Sequence, residues 1–496
     1  MPRYSTSTDL PLTIEKQAVG SIPAQLAEQI REHILAGTLK PGDLLPSSRG
    51  LASRLEISRG SVVAAYEQLA GEGYLSAHKG GTRVAENLEL QKIIPQASGD
   101  SAEGNEESQQ PLPLPQRQLI DLSPGTPDTS LLASSAWRSA WRKAAAEPGK
   151  YYPAAGSPEL QVQLAEHLRL MRQMVREPAE ILVTAGARDG FRLLLSALRQ
   201  ENRQRPLRIA VENPGYPSLH QIPAAFGHEI IPVAVDEKGL NPEKLPTTNR
   251  PDLVLVAPSH QYPLGASMPV DRRLELLRWA EENSAYIVED DYDSELRYVG
   301  DPLPALGALA RQQGIDRVVT LGSFTKTLTP GLGLGYMLTP RHLFEPVSQL
   351  REVLGSPVSA LLQSALADFL AEGGVRRHIA RMRRTYRRRR ELLLNTLHSA
   401  QLPPYVRVLP MDGGLHVVLA FTGSSATEQH EARVVQTLAQ AGVGVAALGD
   451  YWAHSGHLSG AENQDDAAAA RGVVIGFGGA QERALLAGVK LLVKAL

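Results

Sequence analysis

Residues 286–298 read Tyr-Ile-Val-Glu-Asp-Asp-Tyr-Asp-Ser-Glu-Leu-Arg-Tyr, and residues 318–326 read Val-Val-Thr-Leu-Gly-Ser-Phe-Thr-Lys. Each opens on a short β-branched run and closes on reactive side chains: Asp290 and Tyr292 in the first, Ser323 and Lys326 in the second. Similar runs stand at 181–184, 207–211 and 253–256, separated by helical patterns. Strands alternating with helices predict an α/β body on a mainly parallel sheet, and such sheets hold ligands beyond the C-terminal ends of their strands. The two quoted segments place an acid and an amine at that edge.

Working toward the N-terminus, the texture changes twice. Residues 87–118 are rich in Gln, Ser, Glu and Pro and poor in aromatics. They cannot bury enough surface to fold alone, so a linker is expected. About 30 flexible residues reach roughly 30 Å, although Pro111 to Pro115 favours an extended, stiffer stretch. Residues 1–86 carry a separate pattern. Ile22, Leu26, Ile30 and Ile34 form a helical stripe ended by Gly37, Pro41 and Gly42. Ser48 is expected to cap a short second helix with Leu51 and Leu55. Ser58 is expected to cap a third, with Val62, Tyr66 and Leu69 on one face. Tyr74 to Val84, with Lys79-Gly-Gly-Thr82 at its tip, suits a two-stranded wing. Helix, turn and capped helix form the geometry that enters a DNA major groove. Arg59 can fork onto a guanine edge or a phosphate, and Ser58, Ser61 and the helix start suit phosphate oxygens. The plainer alternative is a helical domain whose arginines are simply solvated.

Composition sets the outer bounds. The chain has 496 residues, too many for one core, with 43% hydrophobic and 21% charged residues. The formal charge of −2 is a sum over unlike regions, so it does not argue against a locally basic DNA-binding face. No apolar run approaches the roughly 20 residues that span a bilayer, and the opening MPRYSTSTDLPLTIEK lacks a signal-peptide stretch. A cytoplasmic protein without membrane contact is expected. Zero cysteines exclude disulfides, thiolate metal sites and a cysteine nucleophile. No metal site is expected: His454 and His457 lack a third ligand.

The body supplies a candidate for each demand of pyridoxal 5′-phosphate (PLP). Lys326 offers an amine to the aldehyde. Asp290 offers a carboxylate to the pyridine nitrogen, and Tyr292 a donor to O3′. Tyr216, in Asn213-Pro-Gly-Tyr216, offers a flat ring. Gly186, Ala187 and Arg188 open a predicted helix near Asp189 and can cradle phosphate, with Ser323 adding a hydroxyl. Taken singly, each has a plain reading as a surface lysine, a solvated acidic turn, a buried tyrosine or an ordinary strand-to-helix turn.

The order of these residues carries a resemblance. The head resembles the GntR family of winged-helix regulators through Gly37-x-Leu39-x-Pro41-Gly42-x-x-Leu45-Pro46-Ser47-x-Arg49-x-Leu51-Ala52, Ser58-Arg59, Tyr66-x-x-Leu69, Gly73-Tyr74 and Gly80-Gly81-Thr82. The body resembles fold-type I aminotransferases through Tyr151-x-x-x-x-Gly156, Gly186, Asn213 to Tyr216, Pro258-Ser-His-Gln-Tyr-Pro, Asp290 to Tyr298 and Ser323-x-x-Lys326. A GntR head on this body resembles the MocR subfamily of regulators. The resemblance implies a winged helix over 1–86, then a linker, then an α/β PLP-transferase-like body over 119–496 with a smaller C-terminal α+β subdomain. It assigns Arg49, Ser58, Arg59, Ser61, Lys79, Gly80 and Thr82 to a double-stranded operator. It adds His260 and Tyr151 to the cofactor set, with Tyr151 serving the partner of a head-to-tail homodimer. It implies that PLP, alone or with a small amino compound, is the effector, and control of vitamin B6 synthesis, or of amino acid or taurine catabolism, is the output.

Three departures bear on activity. Gly333 stands where aminotransferases place a phosphate-pairing arginine, Val474 where they place a carboxylate-forking arginine, and Leu264 where a hydroxyl residue is usual. In the head, Gly60 and Val63 depart from common choices, which leaves the operator sequence open. A bidentate Arg–carboxylate contact contributes roughly 1.5–3 kcal/mol, or about ten- to a hundred-fold in affinity. The expected role is therefore sensing without turnover. The rivals are a working aminotransferase with a DNA-binding appendage and a body that only dimerises. Between Arg376 and Arg390 lie nine arginines on a predicted helix with Ile379, Met382, Tyr386 and Leu393. They form either a solvated, ion-paired face or a second surface for operator phosphates.

Overall fold

The computed structural model describes residues 10–15, 21–78, 81–86, 120–149, 151–201, 205–300, 303–453 and 470–496. The expected linker, His454 and His457 lie outside these residues, as do Lys79 and Gly80. The chain divides into two compact units, Met1–Gln110 and Pro111–Leu496.

The first unit holds helices α1 (Ile22–Leu35), α2 (Ser48–Leu55) and α3 (Arg59–Gly71), then a hairpin of β1 (Leu75–His78) and β2 (Gly81–Val84). The apolar stripe closes its core: Leu26, Ile30, Ile34, Val62 and Leu69 are fully buried, with Leu51 and Val84. Ser58 caps α3 as the sequence predicts, its Oγ accepting from the Ser61 amide at 3.0 Å. The α2 expectation needs correction. Ser47, not Ser48, is the cap, accepting from the Gly50 amide at 3.1 Å, and Ser48 is the first helical residue. The one-residue shift arises because Ser47 sits in extended backbone, where a hydroxyl can reach back to the helix start.

The second unit is built on an eight-stranded sheet. Its strands, with those of two smaller sheets, are β3 (Ile120–Asp121), β4 (Ile181–Thr184), β5 (Arg208–Asn213), β6 (Glu229–Asp236), β7 (Gly239–Leu240), β8 (Leu253–Val256), β9 (Tyr286–Asp291), β10 (Val318–Ser323), β11 (Gly335–Leu338), β12 (Val406–Val408), β13 (His416–Phe421), β14 (Val443–Gly444), β15 (Ala446–Ala447) and β16 (Arg471–Gly476), of which β3 and β14 pair only with each other. The large sheet runs β4-β11-β10-β9-β8-β5-β6-β7, and only β11 and β7 run against the rest. The predicted mainly parallel sheet is thus present, and its strands at 181–184 and 253–256 fall where the β-branched runs stand. A four-stranded antiparallel sheet, β12-β13-β16-β15, forms the smaller C-terminal part.

Three successive acids end β9, and alternation sorts them. Glu289 and Asp291 face one way, and Asp290 faces the other. Glu289 accepts from the amides of Leu306 (2.8 Å) and Gly307 (3.1 Å) and from Thr320 Oγ1 (3.2 Å). Asp291 accepts from Arg172 Nε at 2.6 Å, and both side chains are buried. Arg172 ends the helix Pro158–Arg172, so this pair ties that helix to the sheet.

The arginine-rich helix, Gly374–Ser399, buries Ile379, Met382, Tyr386 and Leu393 as its spacing predicts. Several of its arginines work inside the body. Arg389 is buried and pairs with Asp128 at 2.6 Å. Arg390 donates to the Met411 carbonyl, Arg383 to that of Arg297 and Arg381 to that of Leu131, while Arg388 pairs with Glu482. Arg376, Arg377, Arg384 and Arg387 are exposed.

Replacing Arg172 with Met should strand the Asp291 carboxylate and cost about 3–5 kcal/mol of stability. Urea unfolding of the two chains checks this; a loss below about 1 kcal/mol would show that the pair is not needed there.

Candidate cofactor cavity and DNA-reading face

The C-terminal ends of β4, β5, β9 and β10 converge on a cavity of about 320 Å³. Eight of the ten residues expected at a cofactor line it: Gly186, Ala187, Arg188, Tyr216, Asp290, Tyr292, Ser323 and Lys326. Lys326 sits in the turn after β10, and its Nζ donates to the Gly125 carbonyl at 2.7 Å. A Cβ at residue 125 would lie 2.7 Å from that nitrogen, so the glycine makes room for the amine. Ser323 Oγ accepts from the Thr325 amide at 3.1 Å and lies 2.6 Å from Thr325 Oγ1, which fixes the turn. Across the cavity, the helix Ala187–Glu201 starts two residues before the expected Asp189, and Gly186 precedes it with φ +82°. Asp189 is held back from the cavity: its carboxylate accepts from the Ala185 amide at 3.0 Å and from Arg351 at 2.7 Å. The helix start thus presents Arg188 and backbone without a facing carboxylate.

Asp290 is buried, and its Oδ1 finds no hydrogen-bond partner among the described residues. Burial, and then the negative charges of Asp291 and Asp293, push its carboxyl up to about 7, while Lys326 opposes them. An unpaired buried carboxylate oxygen is costly. A cationic N–H donor in the cavity would satisfy it, and a pyridinium is such a donor.

Tyr292 does not stand free. Its hydroxyl donates to the His260 carbonyl at 2.8 Å and lies 3.1 Å from His260 Nδ1, which is 3.0 Å from Asp293 Oδ2. His260 therefore stands behind Tyr292 and does not line the cavity. Tyr216 lies edge-on to Tyr262 at 5.3 Å between ring centroids. Burial would raise the Tyr216 hydroxyl, but hydrogen bonding to Ser218, with Lys326 and Arg188 nearby, holds it below its usual range. Tyr151 is 88% exposed and takes no part in the cavity of its own chain.

The departures have clear structural places. Gly333 lines the cavity in left-handed backbone, φ +54°, where no side chain can supply a charge. Arg188 is the one arginine among the described residues that lines it. Val474 is buried on β16 in an apolar and aromatic cluster with Tyr262, Val418, Leu448 and Tyr451. The nearest arginine along that strand, Arg471, turns instead to Glu431 (3.5 Å) and Glu428 (3.6 Å). Sequence reasoning missed Tyr262, Leu219, Thr325 and the Gly125 carbonyl. Tyr262 and Thr325 lie inside motifs quoted above; Gly125 carries no signal, since only its backbone takes part.

In the head, Arg49 and Arg59 are exposed. Arg59 Nε reaches Ser48 Oγ at 3.4 Å, linking the starts of α2 and α3. Tyr66 donates to the Pro46 carbonyl at 2.9 Å and pins the turn before α2. Thr82 pairs with Ala77 in the hairpin, and its carbonyl accepts from the Leu45 amide at 2.9 Å. Ser58, Ser61, Arg59 and Arg49 thus share one end of the helical pair, while Thr82 belongs to the wing.

A winged helix before a PLP-transferase-like body is the class these features define: an HTH-type transcriptional regulator with an aminotransferase-like domain. Family comparison agrees. Residues 117–450 match aminotransferase class I and II, and residues 23–84 match the bacterial regulatory proteins of the gntR family. The chain belongs to the MocR subfamily, in which these two domains are joined. It is 46% identical over 96% of both chains to the HTH-type pyridoxine biosynthesis transcriptional regulator PdxR of Corynebacterium glutamicum. It is 33% identical to the probable rhizopine catabolism regulatory protein MocR of Rhizobium meliloti, over 83% of this chain and 84% of that one. Among solved structures, the α-aminoadipate aminotransferase LysN of Thermus thermophilus shares the fold of the body. Its TM-score is 0.65, with 24% identity over 76% of this chain and 92% of that one. No helix among the described residues is long and apolar enough to cross a membrane.

Asp290 gives a pH test. Its folded pKa of about 7 lies above the ordinary 3.8, so between these values the folded chain holds a proton that the unfolded chain has released. Stability of the ligand-free protein should therefore fall as pH rises from about 4 to about 7. Asp290→Asn should flatten that decline, as read from midpoints of thermal unfolding across the range.

Proposed function

We propose that this chain is a PLP-responsive transcriptional regulator, divided into a head at 1–86, a linker at 87–118 and a sensing body at 119–496. Lys326, Asp290, Tyr292, Tyr216, Ser323 and the Gly186–Arg188 helix start would hold the cofactor. When bound, PLP supplies an aldehyde to the lysine, a basic ring nitrogen and a phosphate dianion. Asp290 would then accept from the ring nitrogen and keep it protonated. Tyr292, oriented by His260, would place its hydroxyl near O3′, and Arg188 would face the phosphate. The observation that carries this reading is the unpartnered, buried Asp290 oxygen in the same cavity as the Lys326 amine.

The body is read as a sensor, not a working aminotransferase. Val474 and its aromatic neighbours hold no guanidinium in their cluster among the described residues, so PLP itself is the preferred effector over an amino compound. In this reading, Tyr151, fully presented to solvent by a single chain, serves the phosphate site of a head-to-tail homodimer. Arg49, Ser58, Arg59, Ser61, Lys79, Gly80 and Thr82 contact operator DNA. The relative from Corynebacterium is named for pyridoxine biosynthesis, which supports vitamin B6 supply as the regulated output.

Two measurements test this. On adding PLP, the protein should gain the visible absorbance of a lysine-bound aldehyde. Lys326→Ala should abolish it, and Asp290→Ala should weaken PLP binding about ten- to a hundred-fold. Operator titration with and without PLP should show a change of about 5- to 150-fold, absent in Lys326→Ala. Equal operator affinities in the wild type would overturn the switch. Steady turnover of an amino donor, lost in Lys326→Ala, would assign an enzyme instead.

A further inference from the structure

At the opposite end of the large sheet from Lys326 lies a second cavity, of about 330 Å³. Three guanidinium groups, those of Arg176, Arg311 and Arg341, line it, with Asp316 the one carboxylate among its described lining residues. β10 joins the two cavities: Val318 at its start lines this one and Ser323 at its end lines the other. Five residue steps of an extended strand put them roughly 17 Å apart, so one small ligand cannot occupy both.

The cations are poorly satisfied by the protein. Arg176 makes no hydrogen bond or ion pair within 4 Å among the described residues. Burial lowers its pKa, as do the charges of Arg311 and Arg341, while Glu180 and Asp316 pull the other way. Arg311 donates one bond, to the Val175 carbonyl at 2.8 Å. Arg311 and Arg341 share one carboxylate, Glu180, each at 3.9 Å, beyond hydrogen-bond reach. Asp316 is engaged elsewhere: it accepts from the Arg341 backbone amide at 3.0 Å and lies 3.5 Å from His342. Three guanidiniums around one space, those of Arg311 and Arg341 open to water, offer more N–H donors than a carboxylate can accept and favour an anion with more than two acceptor oxygens. A carboxylate has two; a phosphate group offers three or more, and guanidiniums bind it through paired N–H bonds. The cavity also has room for a small organic group beyond the phosphate.

We propose that this cavity is a second ligand site of the body, separate from the lysine cavity, which takes a phosphate dianion either free or as the monoester of a small metabolite. The site depends on no group held by Lys326, so it stands or falls apart from the reading above.

Calorimetric titration of the full chain in phosphate-free buffer tests it. Inorganic phosphate should bind the wild type and the Arg188→Gln chain alike at this site. It should bind at least ten-fold more weakly to Arg176→Gln/Arg341→Gln. Arg341 has 75% of its side chain exposed, so Arg341→Glu alone keeps the fold and should give the same loss. Acetate should bind at least ten-fold more weakly than phosphate. Glycerol 3-phosphate binding more tightly than inorganic phosphate assigns a monoester, and the reverse assigns the free ion. Phosphate binding that survives both Arg341 variants but vanishes in Arg188→Gln would place all of it in the lysine cavity and overturn the proposal. Acetate binding as tightly as phosphate would overturn it too.

Discussion

The body depends on how one strand buries three consecutive acids. Glu289, Asp290 and Asp291 end β9 in the middle of the sheet, where an unpaired charge is costly. Alternation gives Glu289 and Asp291 to the structural face. There two helix-start amides and a threonine bind the first, and Arg172 pairs with one oxygen of the second. Asp290 is left on the other face with Lys326, and an oxygen without a partner. The same strand therefore anchors its neighbours through Glu289 and Asp291 and turns Asp290 into the cavity, where its unpaired oxygen faces the space shared with Lys326.

Much of this was legible in the chain because strand ends carry the chemistry. The β-branched runs at 181–184, 253–256, 286–289 and 318–321 mark strands of the large sheet, and the residues that follow them reach the cavity. Helix spacing located the head's core equally well, since burying a stripe needs only the correct period. What escaped were features set by backbone and by distant packing. The Gly125 carbonyl that receives Lys326, and the Tyr292–His260–Asp293 chain, join segments that no local pattern connects. The Ser47 cap was read one residue late, since either serine could supply the oxygen and only the backbone conformation decides. The arginine-rich helix was read as either a solvated face or a DNA surface. In fact, Arg381, Arg383, Arg389 and Arg390 bind carbonyls or carboxylates of the body, an outcome no spacing rule distinguishes.

Gly333 and Val474 sit differently about the cavity. Gly333 lines it in a left-handed turn with no side chain. Val474 lies in an apolar cluster with Tyr262 and Tyr451. Arg188, at the start of the helix Ala187–Glu201, is the arginine beside the helix amides. The cavity joins the amine of Lys326 and the acid of Asp290 in an aminotransferase-like frame. The shared fold with an aminotransferase and the relationship to named regulators are therefore compatible.

The head encloses an oily centre of its own, drawn from residues 10–84, and the body's large clusters draw only on residues from 120 onward. Among the described residues, each interior is built from its own stretch of the chain. Substitutions that re-sort the head's core should therefore leave the body's packing as it is, and the reverse.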